Sequence, residues 1–80
     1  MRITKKLAMT MRAAGYVPVS TLAQITGVTP ATLYERIREQ PAIRRQVVGS
    51  LLFVEVRSFA ESYREAPTIR AALLSMLRVA

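Results

Sequence analysis

The sequence predicts a mainly α-helical single domain, residues 1–80, with one small β-hairpin. Three observations carry this. Apolar residues recur at helical spacing in several segments that Gly or Pro separates. Ser20, Gly27, Thr29 and Pro30 punctuate two helices joined by a tight turn. The stretch 43–56, IRRQVVGSLLFVEV, is rich in Val, Leu and Ile on either side of Gly49-Ser50, a pair suited to turning a hairpin.

Composition narrows the function classes. At 51% hydrophobic residues the chain is not a disordered one. No uninterrupted apolar run approaches the roughly 18 residues of a membrane span. The N-terminal MRITKKLAMTMRAAG lacks the continuous apolar stretch of a signal peptide, so a cytoplasmic location is expected. The chain has no His, Cys, Asp or Asn, which removes the common zinc ligands and most general acid–base chemistry. Its five acidic residues are all Glu, scattered among basic neighbours. The expectation is a non-enzyme with no catalytic residues, no metal and no cofactor. Twelve basic residues against five acidic give a formal charge of +7, which favours a polyanionic partner.

In chain order, Ile3, Leu7 and Met11 fall four apart, with Ala8 and Ala14 beside them, and predict a helix over about 3–14. Gly15 follows, suited to a left-handed helix end. Pro18 within YVPV predicts an extended linker, and Ser20 is placed to cap a short helix, TLAQIT, that ends at Gly27. Thr29 then caps a second helix with Pro30 in its first turn; Leu33 and Ile37 share its inner face and Pro41 stops it. For 43–56 two readings stand: a hairpin, or one helix over 44–59 weakly interrupted at Gly49. A helix over 55–65 follows, with Val56, Phe59 and Tyr63 three and four apart. Pro67 opens a last helix whose stripe is Ile69, Leu73, Met76 and Leu77, widened by Leu74 and Val79. That stripe is more apolar than a lone solvated helix carries, so 67–80 is expected to pack or to support a homo-oligomer. Met11 and Met76 fill such stripes and need no cofactor.

The pair around Gly27 has the spacing of a helix-turn-helix. Leu22, Ala23 and Ile25 give the first helix an inner face, and Val28 plugs the gap between the two. The outer face of the second helix, residues 30–39, would carry Ala31, Thr32, Glu35, Arg36 and Arg38, with Thr29 at its tip. A helix of this kind fits the major groove of double-stranded DNA, with its N-terminal residues near base edges. Tyr34 could touch phosphate through its hydroxyl or pack its ring on the helix pair. Arg44 and Arg45 would contact the backbone if the hairpin forms, and would be solvated helix charges if it does not.

The segments VPVSTLAQITGVTPATLYERIRE and QVVGSLLFVEVRSFAESY, together 17–63, resemble the winged helix-turn-helix domains of phage and plasmid excisionases and of MerR-type regulators. The resemblance implies a recognition helix in the major groove and a two-stranded wing, 43–56, beside it. It matches Ser20 to the start of the first helix, Gly27 to the turn and Thr29 to the cap. It sets Thr32, Tyr34 and Glu35 at or beside the DNA. Arg44, Arg45 and Gln46 would lead into the wing, Gly49-Ser50 would form its tip, and Phe53 and Val54 would return it to the core. Transcription regulation or recombination directionality is the implied role. The sequence departs from the pattern at Glu35, in a wing tip without basic residues, and in its added N- and C-terminal helices. A protein-interaction module on the same fold, with a protein partner instead of DNA, is the alternative.

Overall fold

The computed structural model describes residues 5–79, with side chains through Leu77. Its order is α1 (Lys5–Ala13), β1 (Tyr16–Pro18), α2 (Val19–Thr26), α3 (Pro30–Glu39), β2 (Arg45–Val48), β3 (Leu51–Glu55), α4 (Val56–Glu61) and α5 (Pro67–Val79). The fold is mainly helical with one three-stranded antiparallel sheet in the order β1-β3-β2. The expectations for Ile3 and for the side chain of Val79 fall outside what is described.

Glycine sets two of the turns. Gly27 has φ 73° at the C-terminus of α2, and its amide donates to Ala23 O at 2.9 Å. Gly49 has φ 63° as the first residue of the two-residue loop between β2 and β3. Ser50 keeps a negative φ, and positive φ at the first loop position alone fits a type II′ turn. The hairpin reading of 43–56 therefore holds, and the single-helix alternative does not.

The sheet has a third member that sequence reasoning left as a linker. Tyr16–Pro18 pairs antiparallel with β3, Val17 opposite Val54 and Pro18 opposite Phe53. Pro18 is tolerated because β1 is an edge strand. On the other side of β3, Gln46 faces Phe53 and Val47 faces Leu52.

Alternation divides the sheet into two faces. Val17 and Val54 join the main core with Val19, Leu22, Leu33, Ile37, Ile43, Val56, Phe59, Ala60, Tyr63 and Leu73. Phe53 points the other way; it and Met11 of α1 are buried outside that cluster. The expected stripe of α5 is placed inward: Leu73 is fully buried, and Ile69, Leu74, Met76 and Leu77 pack partly against the core. The helix closes the domain against α2 and α4.

Two boundaries differ from expectation. Ser20 does not cap α2: the helix starts at Val19, its N-cap is Pro18, and no side-chain cap bond forms. Strand β1 runs into α2 without a loop, and the first turn starts two residues early, with Val19 buried. Helix α4 ends at Glu61 rather than near 65. The Ser62 hydroxyl donates to Phe59 O at 2.6 Å, and the Ser62 carbonyl accepts from Arg36 instead of continuing the helical ladder. At the start of α4, Glu55 supplies an unexpected cap, its carboxylate accepting from the amides of Ser58 and Arg57.

The Thr29 cap of α3 is present: its hydroxyl oxygen accepts from the Thr32 amide at 3.4 Å and meets the Thr32 hydroxyl at 3.0 Å. Thr29→Ala is expected to cost about 1 kcal/mol of unfolding free energy. Urea unfolding followed by circular dichroism checks this, and no loss would mean that Pro30 alone sets the helix start.

Candidate nucleic-acid interface

Helix α3 has a buried side, two flanks and an outer face. Leu33 and Ile37 are 0% and 2% exposed and turn inward. At about 100° per residue, Tyr34 and Arg36 fall on opposite flanks of that stripe, each about 80° from its centre. Ala31, Thr32, Glu35, Arg38 and Glu39 remain exposed.

The Tyr34 flank meets the hairpin. Tyr34, 49% exposed, lines an open groove of about 460 Å³ with Ala31, Glu35 and Arg38 from α3 and with Arg45 and Leu52 from the hairpin. Arg45, which lines this groove, is fixed by the backbone. Its guanidinium donates to Gln40 O at 3.0 Å and to Ile43 O at 3.0 and 3.2 Å. These acceptors are neutral carbonyls, so the cation keeps its charge. Arg38, with 77% of its side chain exposed, has Glu35 at 3.5 Å across one helical turn. Such an exposed pair contributes little to stability, and Arg38 can exchange it for a stronger anion.

The Arg36 flank meets the turn after α4. Its Nη1 donates to Ser62 O at 2.9 Å, and its Nη2 to Glu65 Oε1 at 3.0 Å. The guanidinium carbon sits 3.8 Å from the centre of the Tyr63 ring, and Tyr63 meets Phe59 edge-on at 5.3 Å. Arg36 was expected on the outer face; it is turned back against the protein and is only 24% exposed. Burial raises the Tyr63 phenol above its ordinary range; Arg36 opposes the rise and Glu65 adds to it.

The Glu65 carboxyl is held below its ordinary range, first by a backbone hydrogen bond and then by the Arg36 guanidinium. A carboxyl lowered in the folded state contributes stability above the ordinary carboxylate range and loses it as pH falls through the folded value. The difference in melting temperature between the parent and Glu65→Gln is therefore expected to be largest near neutrality. It should shrink on acidification below the usual carboxylate range. A difference that stays constant with pH would mean that the charge on Glu65 is not what holds Arg36.

The remaining expected residues are dispersed. Arg44 and Gln46 alternate with Arg45 and so take the other face of the strand. The Arg44 amide donates to Ser58 Oγ at 2.9 Å, and Arg44 lines a second groove with Tyr16, Arg57 and Glu61. Ser50 is exposed at the hairpin tip. From Gln46 to Val54 the hairpin carries no charge, and Val47 and Leu51 are 69% and 40% exposed. The structure thus gathers Ala31, Tyr34, Glu35, Arg38 and Arg45 around one groove, with Thr29 and Thr32 at the exposed N-terminal end of α3. Arg36, Arg44, Gln46 and Ser50 lie elsewhere. Sequence reasoning missed the partners of Arg36; Ser62, Tyr63 and Glu65 are far away in the chain and carry no local signal.

No helix among the described residues is long and apolar enough to cross a membrane. No protein-family model, curated protein or solved structure matches the chain.

Proposed function

We propose that the chain is a sequence-selective double-stranded DNA-binding protein of winged helix-turn-helix type, without catalytic activity. It would act in the cytoplasm as a transcription regulator or a recombination directionality factor. The observation that carries this reading is the exposed face of α3 beside the hairpin, edged by Arg38 and Arg45. Thr29, Ala31 and Thr32 present small side chains at the end of the helix that would enter the major groove first. The Thr32 hydroxyl and methyl suit a base edge, and Arg38 suits guanine or phosphate. Arg45 would hold the phosphate backbone between helix and hairpin, and the formal charge of +7 would speed encounter.

The uncharged hairpin tip favours one second reading, a protein-interaction module that uses Val47 and Leu51. A homo-oligomer built through α5 would place several α3 helices on repeated half-sites. Both questions enter one experiment: the purified protein is titrated with a mixed pool of short duplexes at low and moderate salt, and the bound fraction is sequenced. Salt-sensitive binding with an enriched motif supports the DNA reading, and the motif's symmetry reports the arrangement of subunits. A folded protein that binds no duplex at low salt would replace it with the interaction module.

A further inference from the structure

We propose that Arg36 is a positioning residue, which sets the seating of α3 through Tyr63, Ser62 and Glu65 and so governs DNA selectivity without touching DNA. This rests on the DNA-binding reading above and deepens it.

The geometry is that of a clamp. Three different interactions converge on one guanidinium: the ring face of Tyr63 at 3.8 Å, the Ser62 carbonyl at 2.9 Å and the Glu65 carboxylate at 3.0 Å. Together they engage a planar cation on its face and its edge, which an ammonium cannot reproduce. The partners are firmly based. Tyr63 is 4% exposed within the main core and meets Phe59 edge-on. Ser62 ends α4 and is tied to Phe59. Helix α3 otherwise rests on a narrow buried stripe, Leu33 and Ile37. A helix held along one stripe can roll about it, and a contact on one flank stops that roll. Base readout depends on such seating, because hydrogen bonds to base edges weaken steeply with misalignment.

Charge points the same way. Helix α3 carries Glu35, Arg36, Arg38 and Glu39, two charges of each sign. With Arg36 held by Glu65, the cation left for DNA on this helix is Arg38. A phosphate at Arg36 would have to compete with the Glu65 carboxylate for the guanidinium of a side chain that is only 24% exposed.

The test compares Arg36→Met, Arg36→Lys, Glu65→Gln and the double variant Arg36→Met/Glu65→Gln. Glu65 is 61% exposed, so its variant keeps the core intact. Each is titrated with the motif enriched by the parent and with a scrambled duplex, across a salt series. The expected result is a loss of roughly tenfold in the ratio of the two affinities for Arg36→Met. Glu65→Gln should lose part of it, and the double variant no more than Arg36→Met. The dependence of log K on log salt should stay at the parent slope, and Lys should fail to restore the ratio. A slope reduced by about one, with restoration by Lys, would mark Arg36 as a phosphate contact and overturn the proposal.

A purely stabilising role would lower the melting temperature and leave the affinity ratio of the folded protein unchanged, which also overturns it. A measurement without DNA separates this outcome from failure of the DNA-binding reading. In the free protein, amide hydrogen exchange across residues 33–39 should accelerate in Arg36→Met and in Glu65→Gln. The double variant should go no further than Arg36→Met. Unchanged or independent effects overturn the clamp, whatever the duplex titration gives.

Discussion

Leu22→Ala is expected to lower the unfolding free energy by about 2–5 kcal/mol. Leu22 is 0% exposed and belongs to the cluster that joins α2 to Leu33 and Ile37 of α3, Leu73 of α5 and Val54 of β3. Truncation removes three carbons from a site that three helices and the sheet surround, so little can move in to refill it. A chain of this length has a total stability of about 4–12 kcal/mol. The substitution therefore takes a large share of it, and a substantial unfolded population is expected at physiological temperature. Urea unfolding followed by circular dichroism measures the change. A loss well under 1 kcal/mol would show that α2 can collapse onto its neighbours and that the core does not hold α2 and α3 in one fixed arrangement.

Reversing charge at the groove should abolish duplex binding while the fold survives. Arg38→Glu/Arg45→Glu changes the groove by four charge units: two cations are lost and two anions gained. If both arginines meet phosphate, affinity at low salt should fall by more than about a hundredfold, and the slope of log K against log salt should drop by about two. Arg38 is exposed and, among the described residues, pairs with Glu35 alone, so its change costs little stability. Arg45 donates to the carbonyls of Gln40 and Ile43, and Arg45→Gln serves as a control that keeps a donor without the charge. Undiminished binding by a folded double variant would remove this groove as the DNA site and turn attention to Lys5, Lys6 and Arg12 on α1.

The helical elements were legible where one local signal sufficed. Thr29-Pro30 at one end and Pro41 beyond the other bracket α3, and four-residue spacing of Leu33 and Ile37 gives its buried side. Gly49 marks the hairpin turn because its backbone conformation suits glycine. What was missed is non-local. The strand character of Tyr16–Pro18 comes from pairing with β3, which nothing in YVPV announces. Where α4 ends early, Arg36 takes the Ser62 carbonyl, a contact set by tertiary packing.

The same limit applies to the site. The periodicity of α3 separates the buried stripe from the rest, but a residue about 80° from its centre can turn either way. Tyr34 turned toward the hairpin and Arg36 toward the α4–α5 turn, and only the neighbours decide. The alternation along 44–46 could have split Arg44 and Gln46 from Arg45 at the outset.

Strand β3 lies between β1 and β2, and this has a consequence for the order of folding. The β2–β3 hairpin closes over two residues and can form within about 1–10 μs. Strand β1 must find β3 across the whole of 19–52, after the loop-closure entropy of that span has been met. The pair α2 and α3 lies inside the closed span. Their docking shortens the search by drawing Pro18 and Phe53 together, so helix docking and β1 pairing should share one transition state. Substitutions in the interface between α2 and α3 should then slow folding, whereas substitutions at the hairpin tip should leave its rate almost unchanged.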